Sequence, residues 1–158
     1  MKLILASQSS IRARLLSQAG ISFEIKPAHI DERPIGPPFE RAASLAAAKA
    51  SHLSQQYPEK WVLGADQVGL IKETQQELMK PNTTEEALAQ LQAMSGKTHI
   101  FRSVACLWHQ REPVAEVYED AEVRFLPLTS EDALNYIQTK EWQGCCGGYR
   151  IEEKGAQL

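Results

Sequence analysis

Residues 3–16 read LILASQSSIRARLL. Leu3 to Ala6 is a short apolar run followed at once by Ser and Gln, the pattern of a buried strand entering a polar turn. Ser9 or Ser10 can cap the helix that follows. Its apolar positions Ile11, Leu15, Leu16 and Ala19 recur at helical spacing, and Gly20 is placed to end it. A helix N-terminus presents unpaired backbone N–H groups and the positive end of the helix dipole, so behind a strand it forms a natural phosphate cradle. Ser7 and Ser9 add hydroxyls, and the forked donors of Arg12 match phosphate oxygens. An ordinary capped helix with a surface arginine has the same pattern, so the stretch alone leaves both readings open.

Outward from it, Phe23 to Lys26 reads as a second short strand, and HIDERPIGPPF at 29–39 holds three of the eight prolines and must be a loop. From about Phe39 to Tyr57 the pattern is helical, with Ala42, Ala46, Ala50, Leu53 and Tyr57 on one stripe. So much alanine lets a neighbour approach closely. Trp61 to Ala65 is an apolar strand ending at Asp66. Val68 to Lys72 continues as extended chain, and ETQQE has the character of a hairpin turn. Thr83 with Glu86 has capping-box spacing for a helix to Met94 closed by Gly96. Thr98–His109 and Val114–Phe125 read as long strands. Thr129 or Ser130, with Asp132, opens a helix to about Lys140, and the glycine-rich tail reads as irregular. Alternating strands and helices followed by a β-rich stretch predict an α/β domain with a mixed sheet and α+β character.

The 158 residues suit one domain with a sizeable core. Hydrophobic residues at 43% and charged residues at 23% are ordinary for a soluble globular chain. A net charge of −3 excludes the basic footprint of a nucleic-acid binder, so an anionic ligand needs a few placed cations. Three cysteines, two of them adjacent, do not form a disulfide framework, and the histidines lack zinc-ligand spacing to them. Four apolar residues at the N-terminus are too few for a signal core or a membrane span, so a cytoplasmic protein is expected.

Further candidates lie along the chain. Asp66, behind the apolar strand WVLGA, can hold a metal or position a water, or simply form a turn. Asp31 and Glu32 suit a hard cation, or are solvated loop charge. Lys49 lies about 60° from the centre of the alanine stripe at 100° per residue and either points into a cleft or snorkels. Lys80, before Pro81 and a capped helix, is aimed by a fixed loop or is surface charge. In the tail, Gly147, Gly148 and Gly155 allow close backbone approach to a ligand, and Glu152 can accept hydrogen bonds from a guanine-like edge.

Taken in order, LILASQSSIRARLL, DERP, LAAAKA, GADQV, MKP, MSGKTH and CCGGYRIEEKG resemble the Maf family of nucleotide pyrophosphatases over essentially the whole chain. The resemblance implies a mixed α/β fold related to the inosine-triphosphate pyrophosphatases, with two lobes around a nucleotide cleft. It implies triphosphate binding by Ser7 and Arg12, phosphate contacts from Lys49 and Lys80, and Glu152 facing the base and sugar. It also implies Mg²⁺ or Mn²⁺ held by Glu32 and Asp66, with Asp66 the catalytic carboxylate. The expected reaction is hydrolysis of the α–β phosphate bond of a small-molecule nucleoside triphosphate, without a nucleic-acid or membrane partner, and a homodimer is a further expectation. GADQV, Arg12 preceded by Ile11, and Cys145 with Glu152 resemble the 7-methyl-GTP branch.

The alternatives are a dTTP/UTP-type pyrophosphatase, a non-catalytic nucleotide-binding regulator of cell division, an inactive shortened relative, and a plain structural module. Ser10 and Ser44 stand where the family usually has Pro and Arg. The sequence also stops at Leu158, where the family usually continues through a Gly-Leu-Pro segment and a last helix, so a single 1–158 domain lacking that segment is expected.

Overall fold

The first strand of the computed structural model, which describes residues 2–158, is β1 at Leu3–Leu5. Helix α1 (Ser10–Gln18) follows, its N-terminus capped by Ser9, whose Oγ accepts the amide of Arg12. Then come β2 (Phe23–Ile25), α2 (Pro38–Gln56), β3 (Trp61–Ile71), β4 (Glu77–Leu78) and α3 (Thr84–Met94). β5 (Thr98–His109), β6 (Glu112–Arg124) and α4 (Ser130–Gln138) complete the regular elements, with short 3-10 turns at Cys146–Gly148 and Lys154–Gln157.

The strand order is β2-β1-β3-β5-β6, with β4 beside β3. β1 is parallel to β2 and to β3, and Leu3 faces both Phe23 and Trp61. Parallel neighbours need crossover connections, which α1 and α2 supply. β4 is antiparallel to β3, so the sheet is mixed, as the alternation of elements predicts. β6 forms one end of the order. Nearly every residue of this strand is exposed, and Glu112, Glu116, Glu119, Asp120 and Glu122 lie along it.

Two compact units divide the chain. The first comprises Met1–Gln67 and Ser103–Glu119. Its core contains β1 and the alanine stripe of α2, where Ala42, Ala46 and Ala50 are wholly buried. Gly64 explains how closely that helix packs. A Cβ at Gly64 would run into the Ala46 carbonyl oxygen and lie 2.8 Å from the Ala50 amide nitrogen. The α2 backbone therefore rests directly on β3, an approach that only glycine permits.

The second unit comprises Val68–Arg102 and Asp120–Leu158. Its core gathers Ile71, Leu78, Leu91, Met94, Phe101, Phe125, Tyr136, Ile137, Trp142 and Tyr149. His99 sits inside it, its ring edge-on to Phe125 at 4.5 Å between centroids. Burial lowers the His99 pKa, so this ring is favoured in its neutral form.

Three local expectations change. β3 does not end at Asp66 but runs on to Ile71, because beyond the short β1 it finds a new neighbour in β4. Glu86 does not close a capping box on Thr83. Its carboxylate accepts the Asn82 amide instead, while Thr83 Oγ1 still caps the Glu86 amide. The apolar stripe of α1 is not buried, and Leu15 is 57% exposed. No helix among the described residues is long and apolar enough to cross a membrane.

Candidate active site

The first unit brings five of the expected site residues together: Ser7, Arg12, Glu32, Lys49 and Asp66. Side chains two apart on a strand share a face, so Gly64 and Asp66 point the same way. Gly64 receives the backbone of α2 at Ala46 and Ala50, and Lys49 lies on that same turn of the helix. The close packing thus delivers the lysine to the carboxylate. Lys49 Nζ donates to Asp66 Oδ1 at 2.8 Å and to Glu32 Oε2 at 3.0 Å. The Lys49 side chain is only 8% exposed, Asp66 14% and Glu32 49%. Glu32 approaches from the proline-rich loop and stays half open to water.

Beside this bridge, Arg12 Nη1 donates to the Ala65 carbonyl at 2.8 Å and to Ser7 Oγ at 3.1 Å. Ser7 Oγ also accepts the Ser9 amide, which fixes the turn from β1 into α1. The guanidinium thereby grips the backbone just before Asp66. Burial lowers the Arg12 pKa, while the negative charges of Asp66 and Glu32 oppose that shift. An arginine starts so high that it stays charged at neutral pH. Two cations and two carboxylates consequently balance.

Asp31 does not join the cluster. Its carboxylate bonds Arg33 at 2.6 Å, and this pair holds the Asp31 pKa below its ordinary value. Among the described residues no group of three or more His, Cys, Asp or Glu side chains is arranged to hold a metal. Two hard carboxylates converging on one positive charge nevertheless match the sparse protein ligation of Mg²⁺, which keeps waters and substrate phosphates for its other positions.

Lys80 and Glu152 belong to the second unit. Lys80 is exposed, but the chain that carries it is fixed. The Gln90 amide makes both bonds of a clamp on Met79, donating to its carbonyl at 3.0 Å and accepting its amide at 2.8 Å. The Gly147 amide also donates to the Met79 carbonyl, and Pro81 is buried. Glu152 is exposed, on a tight segment where Gly155 sits against the Arg150 backbone with no room for a side chain. In the same unit, burial pushes the Cys146 thiol up to about 12.

Three contributors were missed in the sequence. Gly64 carried a signal, because an isolated glycine in an apolar strand pattern marks close backbone approach. The Ala65 carbonyl carried none, since every residue has one. Gln90 carried none either, being one polar position on a helix.

A family model described as Maf-like protein matches residues 2–158. The chain belongs to the Maf family. A Maf relative from Nitrosococcus oceani, named 7-methyl-GTP pyrophosphatase, is 40% identical over 159 residues, which is 99% of this chain and 79% of that one. One from a Ruegeria species, named nucleoside triphosphate pyrophosphatase, is 36% identical over 99% of this chain and 82% of its own. A third, the dTTP/UTP pyrophosphatase of Bacillus cytotoxicus, is 37% identical over 98% and 81%. Among solved structures, a HAM1 protein from Coxiella burnetii superposes with a TM-score of 0.57 at 17% identity, covering 78% of this chain and 72% of that one. The Staphylococcus aureus Ham1 protein gives 0.56 at 11% identity over 78% and 71%. At such identities the likeness speaks for the fold alone, and it bears out the expected α/β class.

Proposed function

We propose that this Maf protein is a metal-assisted nucleoside-triphosphate pyrophosphatase that cleaves between the α- and β-phosphates. The observation that carries the reading is the bridge Glu32–Lys49–Asp66, with Lys49 buried and Asp66 partly so, beside Arg12. A metal-and-base constellation of this kind serves hydrolysis, whereas a purely regulatory nucleotide binder has no need of it.

Glu32 and Asp66 are the residues that would hold Mg²⁺ or Mn²⁺. Such an ion, when bound, neutralises phosphate charge and makes water more acidic. Asp66, fixed through the Arg12 grip on Ala65, orients the attacking water and draws its proton. Lys49 and Arg12 offer positive charge to the phosphates, and Ser7 with the start of α1 offers hydrogen-bond donors. Positioning and electrostatics provide most of the rate, as in phosphoryl transfer generally. Lys80 is assigned to the phosphates as well.

For the base, Glu152 favours guanine. A carboxylate accepts both donors of a guanine edge, and its charge complements the cationic ring of a 7-methylated purine. The preferred substrate is therefore 7-methyl-GTP. A dTTP/UTP preference is the second reading, supported by the relative that bears that name. The test is pyrophosphate release from a nucleotide panel that includes 7-methyl-GTP, GTP, dTTP and UTP, with Mg²⁺ or Mn²⁺. Fastest turnover of 7-methyl-GTP is expected, and no release from any member sinks the enzymatic reading.

Arg12→Ala removes a phosphate cation and also frees the carbonyl beside Asp66. Both KM and kcat should suffer, each by about tenfold, the scale of a lost charge-assisted contact. Steady-state kinetics separates the two effects. A change in KM alone would reduce Arg12 to a substrate contact.

A further inference from the structure

Two ionised carboxylates brought together repel each other, and a cation between them offsets that repulsion. The cation here is part of the chain. Lys49 Nζ sits 2.8 Å from Asp66 Oδ1 and 3.0 Å from Glu32 Oε2, and these are the same side chains that would take a divalent ion. A divalent ion held by these two carboxylates would draw on the oxygens that now accept from the ammonium, so ion and ammonium would compete for the same acceptors.

We propose that Lys49 is a resident cation that competes with the divalent metal for the gap between Glu32 and Asp66, so that free metal is excluded until a nucleotide arrives. The inference rests on the metal-assisted reading above and adds an order of events to it. Without nucleotide, the charges of Arg12 and Lys49 already satisfy Glu32 and Asp66. An incoming triphosphate supplies new acceptors for the lysine. As the ammonium turns to the phosphates, the carboxylates are released to the metal that the nucleotide brings. Lys49 thus holds the site in shape while it waits, and then changes partner. The half-exposed Glu32, on a loop, is the side chain able to yield.

The test uses Mn²⁺ alone as the probe, with binding to the nucleotide-free protein read by electron paramagnetic resonance and thermal unfolding followed in parallel. Lys49→Gln removes the competing charge and should bind Mn²⁺ at least about tenfold more tightly than the wild-type chain. Lys49→Arg keeps the charge and should bind as weakly as wild type. Lys49→Gln should also melt lower than wild type and recover on adding Mn²⁺, because the ion takes the place of the ammonium. Equal or weaker Mn²⁺ binding by Lys49→Gln, or failure of millimolar Mn²⁺ to raise its melting temperature, overturns the inference. Failure of the broader reading shows separately, because the wild-type chain would then release no pyrophosphate from any nucleotide, whatever Lys49→Gln does with Mn²⁺.

Discussion

Asp66→Asn is expected to lower pyrophosphate release at least about a hundredfold, the scale of losing one positioned catalytic group. Asparagine keeps the size of aspartate and can still accept a bond from Lys49, so the α2–β3 contact is undisturbed. What disappears is the negative charge that would order water and help to hold a cation. Lys49 keeps its hydrogen bond to the Glu32 carboxylate at 3.0 Å, so the lysine is not left without an acidic partner. Far-ultraviolet circular dichroism should therefore match wild type while turnover collapses. Wild-type rates from a correctly folded Asp66→Asn protein would strip Asp66 of its role and leave the bridge as a structural ion pair.

The second large effect concerns stability and arises at a residue without a side chain. Gly64→Ala should lower the melting temperature by roughly 10 °C. The new methyl group meets the Ala46 carbonyl and the Ala50 amide, 2.8 Å away, which are backbone groups of a helix and cannot swing aside as a side chain would. Overpacking of this kind costs about 3 kcal/mol, and a domain of this size loses 2–4 °C for each kcal/mol. Turnover should fall too, even well below the transition, because any outward shift of α2 carries Lys49 away from Asp66. Differential scanning calorimetry and kinetics on one preparation check both. A melting temperature equal to wild type would mean that the helix is not held where Gly64 places it.

Much of the fold was legible because its signals are local. The polar turn behind LILA, the Ser9 cap and the alanine stripe of α2 each follow from a few neighbouring residues, and each took its expected form. Asp66 shows where local reading stops. A carboxylate after an apolar run looks like a strand end, yet the extent of a strand depends on its neighbours. β1 is three residues long, and β3 outlasts it to meet β4. Part of the site was legible in the same sense. Ser7, Arg12, Glu32, Lys49 and Asp66 could be named, since charged or hydroxyl side chains announce themselves in sequence. Their connections could not. That Lys49 bridges two acids, or that Arg12 grips a carbonyl 53 positions away, depends on packing between distant segments. The exposure of Leu15 was hidden for the same reason, because periodicity identifies a helical face but not the neighbour that would cover it.

The acidic strand β6 bears on how the protein behaves in crowded solution. An end strand offers a row of backbone donors and acceptors to any passing chain, and long uncharged edges of this kind seed aggregates. Glu112, Glu116 and Glu119 make such pairing repulsive between copies, while Asp120 and Glu122 are matched by Arg102 and Lys72. The carboxylates along this border of the sheet disfavour growth by strand addition while leaving it open to water.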